Sequence, residues 1–157
     1  MVIAKGNFLN PQGGAPRLLL ATGNGVLRGD GTLVMGAGAA KALAQAYPWA
    51  PKVFGAMARQ ATRPNGHHWY LYGLITFKVN PRLAVGVFQS KGDWKAPANL
   101  SLIAHSAKKL AEWLRNNPGW EVHMAFPGVG LGGLEEGEVL EVLEEYLRDL
   151  PVVLYRL

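Results

Sequence analysis

This 157-residue chain predicts an α/β fold in which a mostly parallel central sheet is covered by helices on both faces. Three observations point there. Short apolar runs suited to strands alternate with segments of helical spacing along the whole length. Two glycine-rich segments, residues 34–41 and 127–134, each stand where a strand runs into a helix. Hydrophobic residues make up 49% and charged residues 17%, with 20 glycines and 10 prolines and no repeat, a composition that describes a loop-bearing globular domain and argues against disorder. A chain of this length is expected to fold as one domain, 1–157, with a full core.

Taken in order, Val2-Ile3-Ala4 reads as a short first strand. Residues 17–21 form a continuous apolar strand suited to a sheet interior. Gly23, Gly25, Gly29 and Gly31 make an irregular connection, and the Ala-rich residues 38–46 favour a helix that Pro48 helps to terminate. A second helix is expected over about 50–61. Residues 69–75 and 83–88 are β-rich, with Lys78-Val79-Asn80-Pro81 as the turn between them. Leu100, Ile103, Ala104, Ala107, Leu110, Ala111 and Leu114 keep the three-and-four spacing of a helix with one buried face, and Asn99 suits its N-cap. Residues 122–126 form a strand that enters the second glycine segment. The helix after it turns Val139, Val142, Leu143, Tyr146, Leu147 and Leu150 inward, and 152–155 close the chain as a strand. Such a sheet carries its ligand loops at the carboxyl ends of the strands.

Composition also excludes chemistry. Without cysteine there is no disulfide, thiolate metal site or cysteine nucleophile. His67, His68, His105 and His123 show no metal-ligand spacing, and the adjacent pair His67-His68 reads as a polar turn. No metal and no cofactor is implied. No apolar run approaches a membrane span and the amino terminus has no signal-peptide pattern, so a cytoplasmic protein without a membrane partner is expected. The formal net charge of +5 favours polyanionic partners or a phosphate-bearing ligand. Its carriers are dispersed, however: Lys52, Arg59, Arg63, Lys108, Lys109 and Arg115 fall in helices or adjoining loops, which argues against a dedicated nucleic-acid reader. One of Trp49, Trp69, Trp94, Trp113 and Trp120 could lie against a ligand base, while packing accounts for most of them.

The glycine segments carry the functional signal. Glycine lets backbone N–H groups approach a phosphate, and the following helix offers its positive dipole end. Each segment alone is equally well explained as a tight turn, but two of them suggest a diphosphate gripped from both sides. Gly128, Gly130 and Gly133 match the G-x-G-x-x-G dinucleotide pattern, yet too little chain follows for a Rossmann half and the closing strand has no acidic residue. No glycine-rich stretch ends in Gly-Lys-Ser or Gly-Lys-Thr, so a Walker A loop is absent.

In chain order, Lys5-Gly6-Asn7-Phe8, Asn24 ahead of Met35-Gly36-Ala37-Gly38-Ala39-Ala40, Ser90-Lys91-Gly92-Asp93-Trp94, and Pro127-Gly128-Val129-Gly130-Leu131-Gly132-Gly133-Leu134 resemble a macrodomain, the ADP-ribose-binding fold. The likeness covers essentially the whole chain and is nearest the branch of terminal ADP-ribose protein glycohydrolase and the antitoxin macrodomains that strip ADP-ribose from DNA. It implies a three-layer α/β/α architecture with a mixed, mostly parallel sheet, and a site assembled from several loops. Asn7 stands where many macrodomains have an aspartate that accepts from the adenine amino group; an amide accepts without charge assistance, and a turn role beside Gly6 remains open. Phe8 could flank the base or belong to the core. Asn24 matches the asparagine on the distal ribose, though its surroundings also suit a plain turn. Gly36, Ala37, Gly38 and Ala39 match the first phosphate loop; Gly128, Val129, Gly130, Leu131, Gly132 and Gly133 match the second.

Lys91 matches the lysine used at the anomeric carbon, with a generic surface lysine as the alternative. Such an amine attacks only when partly neutral, which requires desolvation or neighbouring positive charge. One departure stands out. Where the protein-directed glycohydrolase has an aspartate in its second loop, this chain has glycine, as the DNA-directed antitoxins do; Glu135 and Glu136 just beyond suit the first turn of a helix. The resemblance therefore implies an ADP-ribose-binding protein that hydrolyses ADP-ribosyl linkages on DNA or protein. A non-catalytic ADP-ribose reader and an ADP-ribose 1''-phosphate phosphatase are the alternatives.

Overall fold

The computed structural model describes residues 1–61 and 68–156; Arg63 and His67 lie outside them. The elements are β1 (Val2–Lys5), β2 (Arg17–Gly23), α1 (Gly38–Ala46), α2 (Ala50–Ala61), β3 (Leu74–Asn80), β4 (Leu83–Gln89), α3 (Leu100–Asn116), β5 (Glu121–Ala125), a 3-10 turn (Gly130–Gly132), α4 (Glu136–Leu147) and β6 (Val152–Arg156). The strands form one sheet in the order β1-β6-β5-β2-β4-β3. Every neighbouring pair is parallel except β3 with β4, so the sheet is mixed and mostly parallel.

The two-residue alternation of the strands divides the core into two layers. Leu18 and Leu20 of β2, Phe88 of β4, and Val122 and Met124 of β5 pack under α3 and α4 with Ile103, Leu110, Leu143 and Leu147. Their neighbours Leu19, Ala21, Val85 and Val87 pack on the other face under α1 and α2, with Leu43 and Phe54. Burial on both faces explains why β2 and β4 read as unbroken apolar runs. The result is an α/β/α sandwich.

One strand departs from expectation. β3 starts at Leu74, not at Trp69, and continues through Lys78, Val79 and Asn80, with Asn80 paired to Leu83. Gly73, at φ +75, breaks the extended path, and the N–H groups of Tyr72 and Gly73 are taken by the Gln89 side chain and not by a neighbouring strand. The turn tightens to Pro81-Arg82, where Asn80 Oδ1 accepts from the Arg82 N–H. Asn99 caps α3 as expected, accepting from the Leu102 N–H at 3.1 Å.

The parallel strands bring their carboxyl ends to one edge of the sheet. From β2 the chain leads to α1 on one face, and from its neighbour β5 to α4 on the other. These diverging connections open a crevice at a switch point of the topology.

Candidate functional site

A cleft of about 1410 Å³ occupies that crevice. Its walls come from the ends of β1, β2, β4, β5 and β6. Every residue singled out from the sequence lines it: Asn7, Phe8, Asn24, Gly36, Ala37, Gly38, Ala39, Lys91 and 128–133. The two glycine segments face each other. A Cβ placed on Gly38, which holds φ +58, would lie 3.7 Å from Leu131 Cδ1, so the second loop reaches the first helix turn across the cleft.

Backbone donors converge from both sides. Among the described residues, none accepts from the N–H of Gly36, Ala37, Gly38, Ala39 or Ala40. The N-cap of α1 is Ala37, whose side chain cannot cap, and the first turn holds no acidic residue. The helix therefore keeps its orphan donors and the positive end of its dipole for a ligand. Across the cleft the N–H groups of Val129, Gly130 and Leu131 likewise have no acceptor among the described residues, while Gly132, Gly133 and Leu134 bond back to Val129, Gly130 and Gly128. The loop closes on Gly133 at φ +77, a left-handed conformation that an aspartate would adopt only under strain. Gly132 is no roomier, since a Cβ there would sit 3.0 Å from Ala98 Cβ.

The side chains divide into fixed and free. Asn24 is buried; its Nδ2 donates to the Val34 carbonyl at 3.1 Å and its Oδ1 accepts from the Val26 N–H at 2.9 Å. It is thus a turn residue that ties the end of β2 to the first glycine segment, and it keeps one N–H and one lone pair for a ligand. Asn7 is exposed and its Oδ1 accepts from the Leu9 N–H at 2.9 Å, a turn of the same kind. Phe8 is buried in the layer under α1, as the core reading has it, and also borders the cleft. Lys91 is half-buried and its Nζ donates to the Leu131 carbonyl at 3.4 Å, which brings the amine to the second glycine loop.

A buried amide supports that lysine. Gln89 Oε1 accepts from the N–H groups of Tyr72 and Gly73, and its Nε2 donates to the carbonyls of Tyr70 and Lys91, which uses its full donor set. The Lys91 N–H and the Ser90 N–H both reach the Gly23 carbonyl. Tyr72 donates its hydroxyl to the Asn24 carbonyl at 2.6 Å, and burial pushes its phenol pKa up, so it stays a neutral donor. Lys91 and Asn24 therefore stand on one rigid base.

Several further residues line the cleft. Glu136, in the first turn of α4, pairs with Arg156 at the end of β6, and the guanidinium holds its carboxyl below the usual range. Trp94 borders the cleft at 50% exposure with the Lys95 ammonium 5.2 Å from its ring centre. Arg28 also lines the cleft. Of the other tryptophans, Trp49 packs on Phe54 and Phe77, and Trp113 on Trp120. Of the histidines, His68 pairs with Asp93 at 2.5 Å and His123 bonds Tyr155 and Glu121. Among the described residues no His, Asp or Glu cluster could hold a metal ion.

No family model and no curated protein matches this chain. Solved structures do. The chain is similar to the macrodomain of Thermus aquaticus DarG, at 23% identity and TM-score 0.74 over 98% of this chain and 95% of that one. It is similar to the macrodomain of Mycobacterium tuberculosis DarG at 22% identity and TM-score 0.76, over 99% of this chain and 97% of that one. Thermosipho africanus DarTG, solved in complex with ADP-ribose, matches at 21% identity and TM-score 0.67 over 87% of this chain and 37% of that chain.

Proposed function

Because this chain has the macrodomain fold, we propose that its cleft binds ADP-ribose and that the protein hydrolyses an ADP-ribosyl linkage on a macromolecule, with DNA favoured over protein. The observation that carries the reading is the pair of glycine segments presenting unclaimed backbone N–H groups to one cleft. Preorganised N–H donors suit a diphosphate, whose charge is spread over several oxygens. The ADP-ribose complex of Thermosipho africanus DarTG supports the same ligand class. The adenine lies toward Asn7 and Phe8, the diphosphate between Gly36–Ala39 and Val129–Leu131, and the distal ribose against Asn24 and Lys91.

Lys91 carries the chemistry. Its amine attacks the anomeric carbon through the nitrogen lone pair; the bond to the macromolecule breaks, and the departing atom keeps the electron pair and takes up a proton. Water then displaces the amine and releases ADP-ribose, regenerating the lysine. Asn24 orients the ribose with its remaining N–H and lone pair. The second loop has glycine where the protein-directed glycohydrolase has its aspartate, which counts against the two-residue chemistry at this site. The net charge of +5 favours an adduct on a nucleic acid only slightly, because its carriers are dispersed.

The test is parallel incubation with ADP-ribosylated DNA, ADP-ribosylated protein and ADP-ribose 1''-phosphate, comparing wild type with Lys91→Ala. Release from DNA is expected to fall by at least about a hundredfold in the variant, while calorimetry with ADP-ribose gives an unchanged affinity within about threefold. Release that ignores the substitution sinks the role of Lys91. Binding without release from any substrate makes the protein a reader.

A further inference from the structure

A second, smaller depression of about 240 Å³ adjoins the cleft, lined by Arg28, Arg59, His68 and Tyr70 among others. Arg28 lines both, so the two meet at its side chain. We propose that this groove binds the phosphodiester backbone of the single strand whose ADP-ribosyl adduct sits in the cleft. The proposal rests on the cleft reading above and adds a site for the polymer.

Both arginines are exposed, and the backbones that carry them are tied to one another. Arg28 begins a tight hairpin closed by the Leu27–Leu33 bridge, with its N–H on the Thr32 carbonyl at 2.8 Å and its carbonyl taking the Gly31 N–H at 2.9 Å. Arg59 projects from the last turn of α2, its Nη1 beside Gly31, and α2 is tied to the same hairpin through Leu33 N–H on the Pro51 carbonyl at 2.9 Å. No described carboxylate lies within ion-pair distance of either. Of the acidic groups nearby, Asp30 feels the Arg28 charge but spends its Oδ1 on the N–H and hydroxyl of Thr32. Asp93 is engaged with His68 and the Lys95 N–H.

Two exposed guanidiniums with no carboxylate partner among the described residues, beside a cleft, suit a ligand with charge repeated along its length, which a phosphodiester chain supplies. Trp94, half exposed on the cleft wall beneath Lys95, offers an aromatic face on which a base can stack, the usual companion of a phosphate track in single-strand binding.

The experiment measures anisotropy of a short fluorescein-labelled, unmodified DNA strand over about 50 to 200 mM salt, with ADP-ribose calorimetry in parallel. Arg59→Gln is expected to weaken strand binding about fivefold and to lower the slope of log affinity against log salt by about 1, with ADP-ribose affinity unchanged. Arg59→Lys should recover most of the salt slope, and an RNA strand that shows the same dependence on Arg59 supports the groove equally. Wild-type protein that does not bind the strand overturns the proposal, as does strand binding indifferent to both Arg59→Gln and Arg28→Gln. So does a phosphopeptide that binds through Arg59 in place of either strand. Failure of wild type to bind ADP-ribose counts against the cleft reading alone, because the strand measurement does not depend on it.

Discussion

Gln89 shows how one buried amide can set the geometry of a site it does not touch. Its two ends satisfy four backbone groups on the 70–73 segment and at Lys91. Gln89→Leu keeps the volume and leaves all four unpaired. The cost expected is about 3 kcal/mol, read from urea unfolding. In the folded fraction, hydrolysis should fall more than ADP-ribose affinity, because the Lys91 backbone loses its tether while the phosphate loops stay intact. Equal losses of rate and affinity would show that Gln89 serves the fold alone. The sequence made Lys91 legible because Ser90-Lys91-Gly92-Asp93-Trp94 is a local pattern. Gln89 and the Glu136–Arg156 pair were not legible, since their partners come from other elements and meet only when the sheet is assembled. Asn24 was legible as a position, but not as a side chain already engaged with Val26 and Val34.

At the level of elements, α1 leaves its N-terminus uncapped where it borders the cleft. Ala37 holds the N-cap with φ −149 and ψ 158, an extended conformation that aspartate adopts readily, yet its side chain makes no cap bond. Ala37→Asp supplies the missing cap by accepting from the N–H of Ala39 or Ala40. It should raise stability by about 1 kcal/mol and the Tm by about 3 °C in a scanning measurement. The same carboxylate competes for the donors of the phosphate site and repels the diphosphate, so the Kd for ADP-ribose should rise at least about tenfold. A higher Tm with unchanged affinity would remove α1 from the site. Elements of this kind were readable because helical spacing and strand alternation are local; α1, α2 and α3 begin where the sequence predicts. β3 was misread because its start depends on Gln89, from the following strand, capturing the N–H groups that β-rich residues before Leu74 would otherwise give to a ladder.

For the molecule as a whole, acidity and ligand occupancy act on the same folding equilibrium. Burial and the neighbouring Lys109 and Lys108 lower the His105 pKa, so the folded state resists a proton that the unfolded chain accepts. The contribution of His105 is complete above about pH 6.5 and lost as the pH falls from there through its lowered folded value, and His105→Gln should remove this first slope from a stability profile. Asp30, Asp93 and Glu136 are held below the ordinary carboxylate range, by the N–H of Thr32, the N–H of Lys95 and the Arg156 guanidinium respectively. Their contributions are present above about pH 4 and fade below it. Ligand works in the opposite direction. The cleft draws its walls from five strand ends and from loops on both faces of the sheet, so whatever fills it ties together layers that unfolding must separate. ADP-ribose at a hundredfold excess over its Kd should add about 2.7 kcal/mol, which for a chain of this size raises the Tm by roughly 8 °C. Lys91→Ala should keep nearly the whole shift, because the proposed function gives the lysine the reacting bond and leaves the diphosphate to backbone donors. Ala37→Asp at the same ligand concentration should lose about half of it or more. A wild-type Tm that does not move with ADP-ribose would mean that the facing glycine loops close on each other, and the chemistry assigned to Lys91 would have no substrate to act on.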